Sequence, residues 1–312
     1  MRTKSKLLIV RGLVCLLILL GYSVHVQAQD LEPRRWSHMP VGINVLGVGG
    51  AGISGDILFD PVLLIEDATF DLYVGGLSYV RSFDLAGKTA RIDVVMPFAT
   101  GRWEGLLDGV ESSVRRKGLV DPWVRFSVNL YGAPALKAKE YMQYRSSKKT
   151  HTTVGAAITV FMPFGQYSQE YLINLGENRW RVRPQLGLLH QHEKWQFEVT
   201  GSVFISGDND EFWKGSQLER DPLWFIQSHV IYSIDQKWWT SLSAGFAHGG
   251  RSWVNGVPKS DDSRTSLMAW SIGRSIGKNQ GIKFTYLRRQ SNISVGVESN
   301  NFLFGWSYNW FN

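Results

Sequence analysis

The chain has 312 residues, a formal net charge of +7, 44% hydrophobic and 13% aromatic residues, and 32 glycines against a single cysteine. Four basic residues (Arg2, Lys4, Lys6, Arg11) and no acidic ones fall in the first 28 positions, so the charge beyond Ala28 is +3; with no concentrated basic stripe left, a nucleic-acid partner is excluded. Cys15 lies in the same segment after Gly12-Leu13-Val14, a poor match to a lipoprotein cleavage site, which excludes a disulfide scaffold, a thiolate metal site and a cysteine nucleophile from the remainder.

Residues 1–28 read as a secretory signal peptide: basic residues surround the apolar stretch Leu7 to Leu20, and Val26-Gln27-Ala28 offers a cleavage site. Arg11 interrupts the stretch, which falls short of the roughly 20 apolar residues of a membrane-spanning helix. Residues 29–312 then form one domain. An exported chain rich in Trp, Tyr, Phe and Gly without apolar helices has the composition of an outer-membrane β-barrel of a Gram-negative bacterium.

Period-two alternation dominates this domain. Ile92, Val94 and Met96 oppose Asp93, and Val124, Phe126, Val128 and Leu130 oppose Arg125, Ser127 and Asn129. Trp180, Val182, Leu186 and Leu188 oppose Arg181, Arg183 and Gln185; Trp195, Phe197, Val199, Val203 and Ile205 oppose Gln196, Glu198, Thr200 and Ser202. Farther along, Trp238, Leu242, Ala244 and Phe246 oppose Ser241, Ser243 and Gly245, and Ile282, Phe284 and Tyr286 oppose Lys283 and Thr285. About twelve antiparallel strands are predicted, near 43–53, 71–84, 88–100, 118–131, 150–162, 179–191, 194–206, 222–234, 237–248, 264–275, 279–290 and 301–311; bacterial barrels have an even number. A sheet in hydrocarbon must close, because no water is there to satisfy an open edge.

The connections alternate as such a barrel requires. Long extracellular loops are predicted at 54–70, 101–117, 163–178, 207–221 and 249–263, with 291–300 intermediate, and short periplasmic turns at 85–87, 192–193, 235–236 and 276–278. The exception is 132–149, a long periplasmic connection in which Ala135 to Arg145 reads as a short helix, lying under the barrel or entering it as a partial plug, unless the strand count slips there. The last strand places Phe302, Phe304, Trp306, Tyr308 and Trp310 on one face, against lipid, and fits the C-terminal signal of the barrel-assembly machinery. In a soluble β-sandwich the same face would be hidden in a core.

Several segments resemble a known family: Asp30-Leu31-Glu32-Pro33-Arg34-Arg35-Trp36, Pro40-Val41-Gly42, Tyr79-Val80-Arg81-Ser82-Phe83-Asp84, Ala90 to Val95, Ser127 to Pro134, Ile173-Asn174-Leu175-Gly176 and Asn178-Arg179-Trp180. Together they resemble the outer-membrane transporter family named for the meta-pathway of phenol degradation. The resemblance covers essentially the whole chain after the signal. It implies passage of small aromatic or other hydrophobic compounds and assigns no catalytic residue.

Asp93, Arg125, Arg181, Arg183, Glu198, Lys283 and Arg289 are the pore-lining candidates: a charged lumen could orient a solute, or the charges could pair and fill a closed barrel. His190 and His192 share a strand face but lack a third ligand, so no metal is assigned. Asp208-Asn209-Asp210-Glu211 reads as a hydrated loop in preference to a calcium site. Gly47 to Gly52 lacks the helix and lysine of a nucleotide loop and reads as close strand packing or a bulge. Ser228 and His229 are adjacent and so point to opposite faces, which argues against an outer-wall lipid-modifying enzyme. Most tryptophans fall at predicted strand ends as an interfacial girdle, although Trp103, Trp213 and Trp253 could meet an aromatic ligand in the external loops. No cofactor is expected. The expected partners are outer-membrane lipids, lipopolysaccharide, the assembly machinery and a small hydrophobic or aromatic solute. The competing expectation is a plugged structural barrel that binds lipopolysaccharide or a partner through its external loops.

Overall fold

The computed structural model describes residues 31–58, 65–107, 109–293 and 296–311; the predicted signal peptide lies outside them. The chain forms one antiparallel sheet whose strands are β1 (Ile43–Leu58), β2 (Ile65–Leu85), β3 (Lys88–Leu107), β4 (Val110–Leu119), β5 (Trp123–Tyr131), β6 (Thr150–Phe161), β7 (Arg181–His192) and β8 (Trp195–Ser206), then β11 (Leu223–Ser233), β12 (Trp238–Gly249), β15 (Ser263–Ile276), β16 (Gln280–Ser291) and β17 (Gly296–Phe311). Each strand pairs with the next, except that β4 and β5 both pair with β3, and β17 returns to β1 from Ile43↔Phe311 to Leu58↔Gly296, closing the barrel. The upper part of β3 pairs with β4 and its lower part with β5, so these two pieces occupy one stave and the barrel has twelve.

Side-chain alternation sets the two surfaces. Leu77, Met96, Leu186, Leu242, Met268, Phe302 and Phe304 are exposed on the outer face, an apolar belt that only hydrocarbon can cover at this extent. Their sequence neighbours point into the barrel. At one end the hairpins are tight: Ala86 and Gly87 both take positive φ (50° and 76°), the backbone of a two-residue turn that follows the strand twist. This end is periplasmic, the side from which residues 31–42 enter.

At the other end, strands outrun the membrane. β2 has 21 residues and β3 has 20, against the roughly 9–11 that cross a bilayer when tilted. The predicted loop at 101–117 is therefore a correction: it is a hairpin of β3 and β4, and the predicted loops at 54–70 and 291–300 are likewise mostly strand. The loops predicted at 207–221 and 249–263 carry a separate small sheet, formed by β9 (Asn209–Phe212), β10 (Ser216–Arg220), β13 (Ser252–Val254) and β14 (Val257–Pro258). Phe212, Trp213, Leu218 and Val254 with Leu172 form its own apolar core. The Gly47–Gly52 run pairs in register on both sides with no bulge; at Gly47 a Cβ would stand 2.3 Å from the Ser78 hydroxyl.

The 132–149 connection contains helix α1 (Ala138–Ser147). It lies beneath the barrel: the Ala135 amide donates to the Gly87 carbonyl, and the Tyr141 hydroxyl donates to the His38 carbonyl. His38 also meets the Tyr141 and Tyr144 rings edge-on at 4.9 and 5.4 Å. The strand count does not slip there.

Candidate functional site

What fills the lumen is residues 31–42, a segment that sequence reasoning assigned no structural role. Trp36, 1% exposed, lies across the interior; its indole N–H donates to the Thr200 hydroxyl at 2.8 Å. The facing wall is cut away for it: a Cβ on Gly187 would sit 1.8 Å from the indole nitrogen, and one on Gly155 2.3 Å from the ring. The Arg35 amide donates to Glu198 at 3.2 Å, and the Arg35 guanidinium to Glu32 at 3.0 Å. Leu31 packs farther up, with Phe204, Leu223, Phe225 and Leu267, while His38 sits at the periplasmic mouth against Pro134. The segment thus lies within the lumen and fills part of it.

Four of the predicted lumen residues, Asp93, Arg125, Glu198 and Lys283, lie in the periplasmic half. Asp93 is buried between Arg125, with which it forms a close ion pair, and Arg91, whose Nε lies 3.3 Å away. Glu198 is buried beneath the plug segment. Lys283 is close enough to Glu32 to act on its charge. Sequence reasoning missed the partners Arg91, Arg35 and Glu32; the one signal available for the last two was the family-like run ending in Trp36, just before the first strand.

The extracellular half differs in character. Ile53, Ile57, Phe70, Leu72, Val74, Ala99 and Trp103 form one inward-facing apolar cluster. Trp103 is therefore buried in the barrel wall rather than presented on an external loop. Across the lumen, Phe204, Leu223, Phe225, Ala247, Leu267, Ala269 and Leu287 form a second cluster. A small enclosed cavity of about 20 Å³ remains there, lined by Phe204, Leu223, Phe225, Ala247, Leu267 and Arg289 together with Ser263 and Thr265.

Above this cavity, Arg179, Arg181 and Arg183 descend along one face of the chain as it enters β7. Arg179 and Arg181 both pair with Glu177, at 3.0 and 2.9 Å. The Arg181 guanidinium lies over Phe161 (4.4 Å) and Phe204 (5.6 Å), and that of Arg183 over Phe204 (4.3 Å) and Phe225 (5.3 Å). Cations on aromatic faces are attracted by the ring quadrupole, more so when desolvated. Arg220 lies half-buried in the same region and donates to Ser252 at 3.1 Å.

The mouth is covered by residues 162–180. The Asp121 carboxylate, in the break between β4 and β5, accepts from the amides of Gly165 and Glu177, both at 2.9 Å. Gly165 and Gly176 meet so closely that a Cβ on either would approach the other's backbone within 2.8 Å. Arg116 donates to the Ile173 carbonyl at 2.8 Å and stacks 4.0 Å over Tyr171, and Leu175 plugs into the first apolar cluster. Burial pushes the Asp121 carboxyl up to about 6, helped by Glu177 and opposed by its two amide donors and Arg181.

The other sequence candidates have local roles. His190 and His192 each engage a cross-strand threonine through Nδ1, Thr152 at 2.9 Å and Thr150 at 3.0 Å. Asn209 is buried, taking Tyr167, Glu177 and Asn178 as partners. His229 faces inward, away from Ser228, and its Nδ1 lies 2.7 Å from the Ser243 hydroxyl.

Residues 48–311 match the family model described as "Putative MetA-pathway of phenol degradation". No curated protein matches the sequence. Among solved structures, the COG4313 outer membrane channel from Pseudomonas putida F1 is 20% identical with a TM-score of 0.74, the alignment covering 90% of this chain and 100% of that one. The β domain of the Bordetella autotransporter BrkA is a looser likeness, 7% identical at a TM-score of 0.48 over 86% of this chain and 99% of that one.

Proposed function

The chain belongs to this phenol-degradation family and is a twelve-stranded outer-membrane barrel, and from that premise we propose a channel for passive passage of small hydrophobic or aromatic compounds. One observation carries the reading: the extracellular half of the lumen is lined by buried apolar side chains, Ile53, Phe70, Leu72 and Trp103 on one side and Phe204, Phe225, Leu267 and Leu287 on the other. A water-filled porin carries polar groups inside. A hydrocarbon ring moving along an apolar wall gives up little of the roughly 25 cal/mol per Å² that favours its leaving water.

On this reading residues 1–28 are removed as a signal, lipids and lipopolysaccharide cover the outer belt, and the assembly machinery reads the strand of Phe302, Phe304, Trp306, Tyr308 and Trp310. The protein acts as a channel without catalysis; the His229–Ser243 pair serves the interior polar network beneath the plug segment. A second reading, a plugged barrel that binds lipopolysaccharide or a partner through its extracellular sheet, is favoured by the seating of Trp36 in the lumen.

Liposome swelling separates the two. A phenolic glucoside is compared with a disaccharide of similar size, both slow across bare bilayers, for the unaltered protein and for Trp36→Ala. Faster entry of the phenolic is expected in both, larger in the variant. Equal rates for the two solutes would make the barrel a general porin, and no swelling even in the variant would leave the plugged reading.

A further inference from the structure

We propose that the outward-facing cations at the extracellular end of β3 and β4 form a binding site for the phosphate groups of lipid A, the glycolipid anchor of lipopolysaccharide in the outer leaflet. This rests on the reading that lipopolysaccharide covers the outer belt and is independent of the solute that the barrel carries.

The height of the site follows from the wall beside it. On β2 the outward positions between Asp71 and Arg81 are Tyr73, Gly75, Leu77 and Tyr79, an uncharged run. The step from Asp71 to Arg81, at about 3.3 Å per residue on a strand tilted by about 40°, rises about 25 Å, which is the height of a barrel's apolar band. Arg81 therefore marks the periplasmic edge of the belt and Asp71 the extracellular edge. Arg102 stands opposite Asp71 on β3, Arg115 stands opposite Arg102 on β4, and Lys117 lies one outward position lower, opposite Thr100. All three cations are exposed on the outer face, at the level of the outer-leaflet headgroups.

Like charges directly opposite each other on one sheet face destabilise it, so Arg102 and Arg115 call for an anion. Glu104 answers Arg102 with a close ion pair, and Asp71 faces Arg102 from β2. Among the described residues the side chains of Arg115 and Lys117 have no acidic or hydrogen-bonding partner. Arg116, between them in sequence, turns inward to the Ile173 carbonyl and the Tyr171 ring and so belongs to the cap. A guanidinium edge takes two phosphate oxygens and a neighbouring ammonium a third, which is what Arg115 and Lys117 offer. Directly below them Phe98 and Met96 are exposed on the outward face of β3, a surface for the acyl chains that hang from the phosphorylated sugars. Inorganic phosphate gains nothing from Phe98 and Met96, and that decides for a lipid.

The test is native mass spectrometry of the refolded barrel in detergent, titrated with diphosphoryl lipid A and with the same lipid stripped of its phosphates. The phosphorylated form is expected to bind at least about tenfold more tightly, a difference of about 1.4 kcal/mol. Arg115→Gln combined with Lys117→Gln is expected to erase that advantage. Lys259→Gln combined with Arg264→Gln, which removes two cations elsewhere on the extracellular rim, is expected to keep it; heat-modifiability checks that both variants are folded. Equal binding of the two lipids by the unaltered protein, an advantage that survives the loss of Arg115 and Lys117, or an equal loss in both variants would overturn the proposal. Liposome entry of the phenolic glucoside through the variant without Arg115 and Lys117 is expected to match that of the unaltered protein, so the channel reading stands or falls by its own measurement.

Discussion

At the residue scale, the seating of Trp36 in the lumen depends on a few close approaches. Trp36 fits because Gly155 and Gly187 present no side chain, and its N–H is answered by Thr200. Gly187→Ala is therefore expected to expel the indole, since a methyl 1.8 Å from Nε1 cannot be accommodated by a rigid ring. Forced overpacking costs about 1–3 kcal/mol, to be read as a lower urea midpoint together with a red-shifted tryptophan emission and faster solute entry. Trp36→Phe keeps most of the volume and loses the hydrogen bond, worth about 1 kcal/mol; entry is expected to stay near that of the unaltered protein. None of this was legible from residues 31–36 alone, because the complement to Trp36 is two glycines and a threonine more than 110 positions away. The inward direction of Asp93, Arg125, Arg183 and Glu198 was legible, because alternation alone sets it. Their partners were not.

At the element scale, the segment 162–180 is a loop in sequence and a lid in structure. Its anchor is Asp121, whose pKa is raised from an ordinary 3.8 to about 6, burial being the main cause. A raised carboxyl binds its proton more tightly in the folded state, so its contribution to stability is complete below pH 3.8 and is lost as pH rises through about 6. By the size of the shift the loss is on the order of 3 kcal/mol. Asp121→Asn retains a carbonyl acceptor and cannot ionise; the urea midpoint of the variant is expected to be flat across pH 4–6.5, where that of the unaltered protein falls. A parallel fall in the variant would assign the pH dependence to another group. The sequence predicted a long external loop here correctly, but the break at 120–122 that carries Asp121 interrupts what alternation reads as one continuous strand. Short-range periodicity cannot register a residue whose purpose is to hold another segment.

At the scale of the whole molecule, stability rests on closure and on a belt that suits lipid. Leu242, near the middle of β12, is 66% exposed on the outer face, and Trp224 faces outward at the extracellular end of β11. Leu242→Arg is expected to cost about 2–4 kcal/mol and Trp224→Arg about 0–1 kcal/mol, because the penalty for a charge falls toward the interface; refolding into vesicles across a urea series measures both. Equal costs would mean that the belt is placed elsewhere along the strands. The strand class, the even count of staves, the orientation of the hairpins and the lipid-facing aromatic strand were all determined by the sequence, since alternation of apolar and polar residues is a local property and closure follows from the absence of water in hydrocarbon. The seating of residues 31–42 in the lumen, the pairing of Asp93 with Arg91 and Arg125, the extracellular sheet and the arginine–phenylalanine track were decided only by tertiary structure. Each joins residues from distant strands, and register and curvature bring them within contact distance only after the barrel has closed.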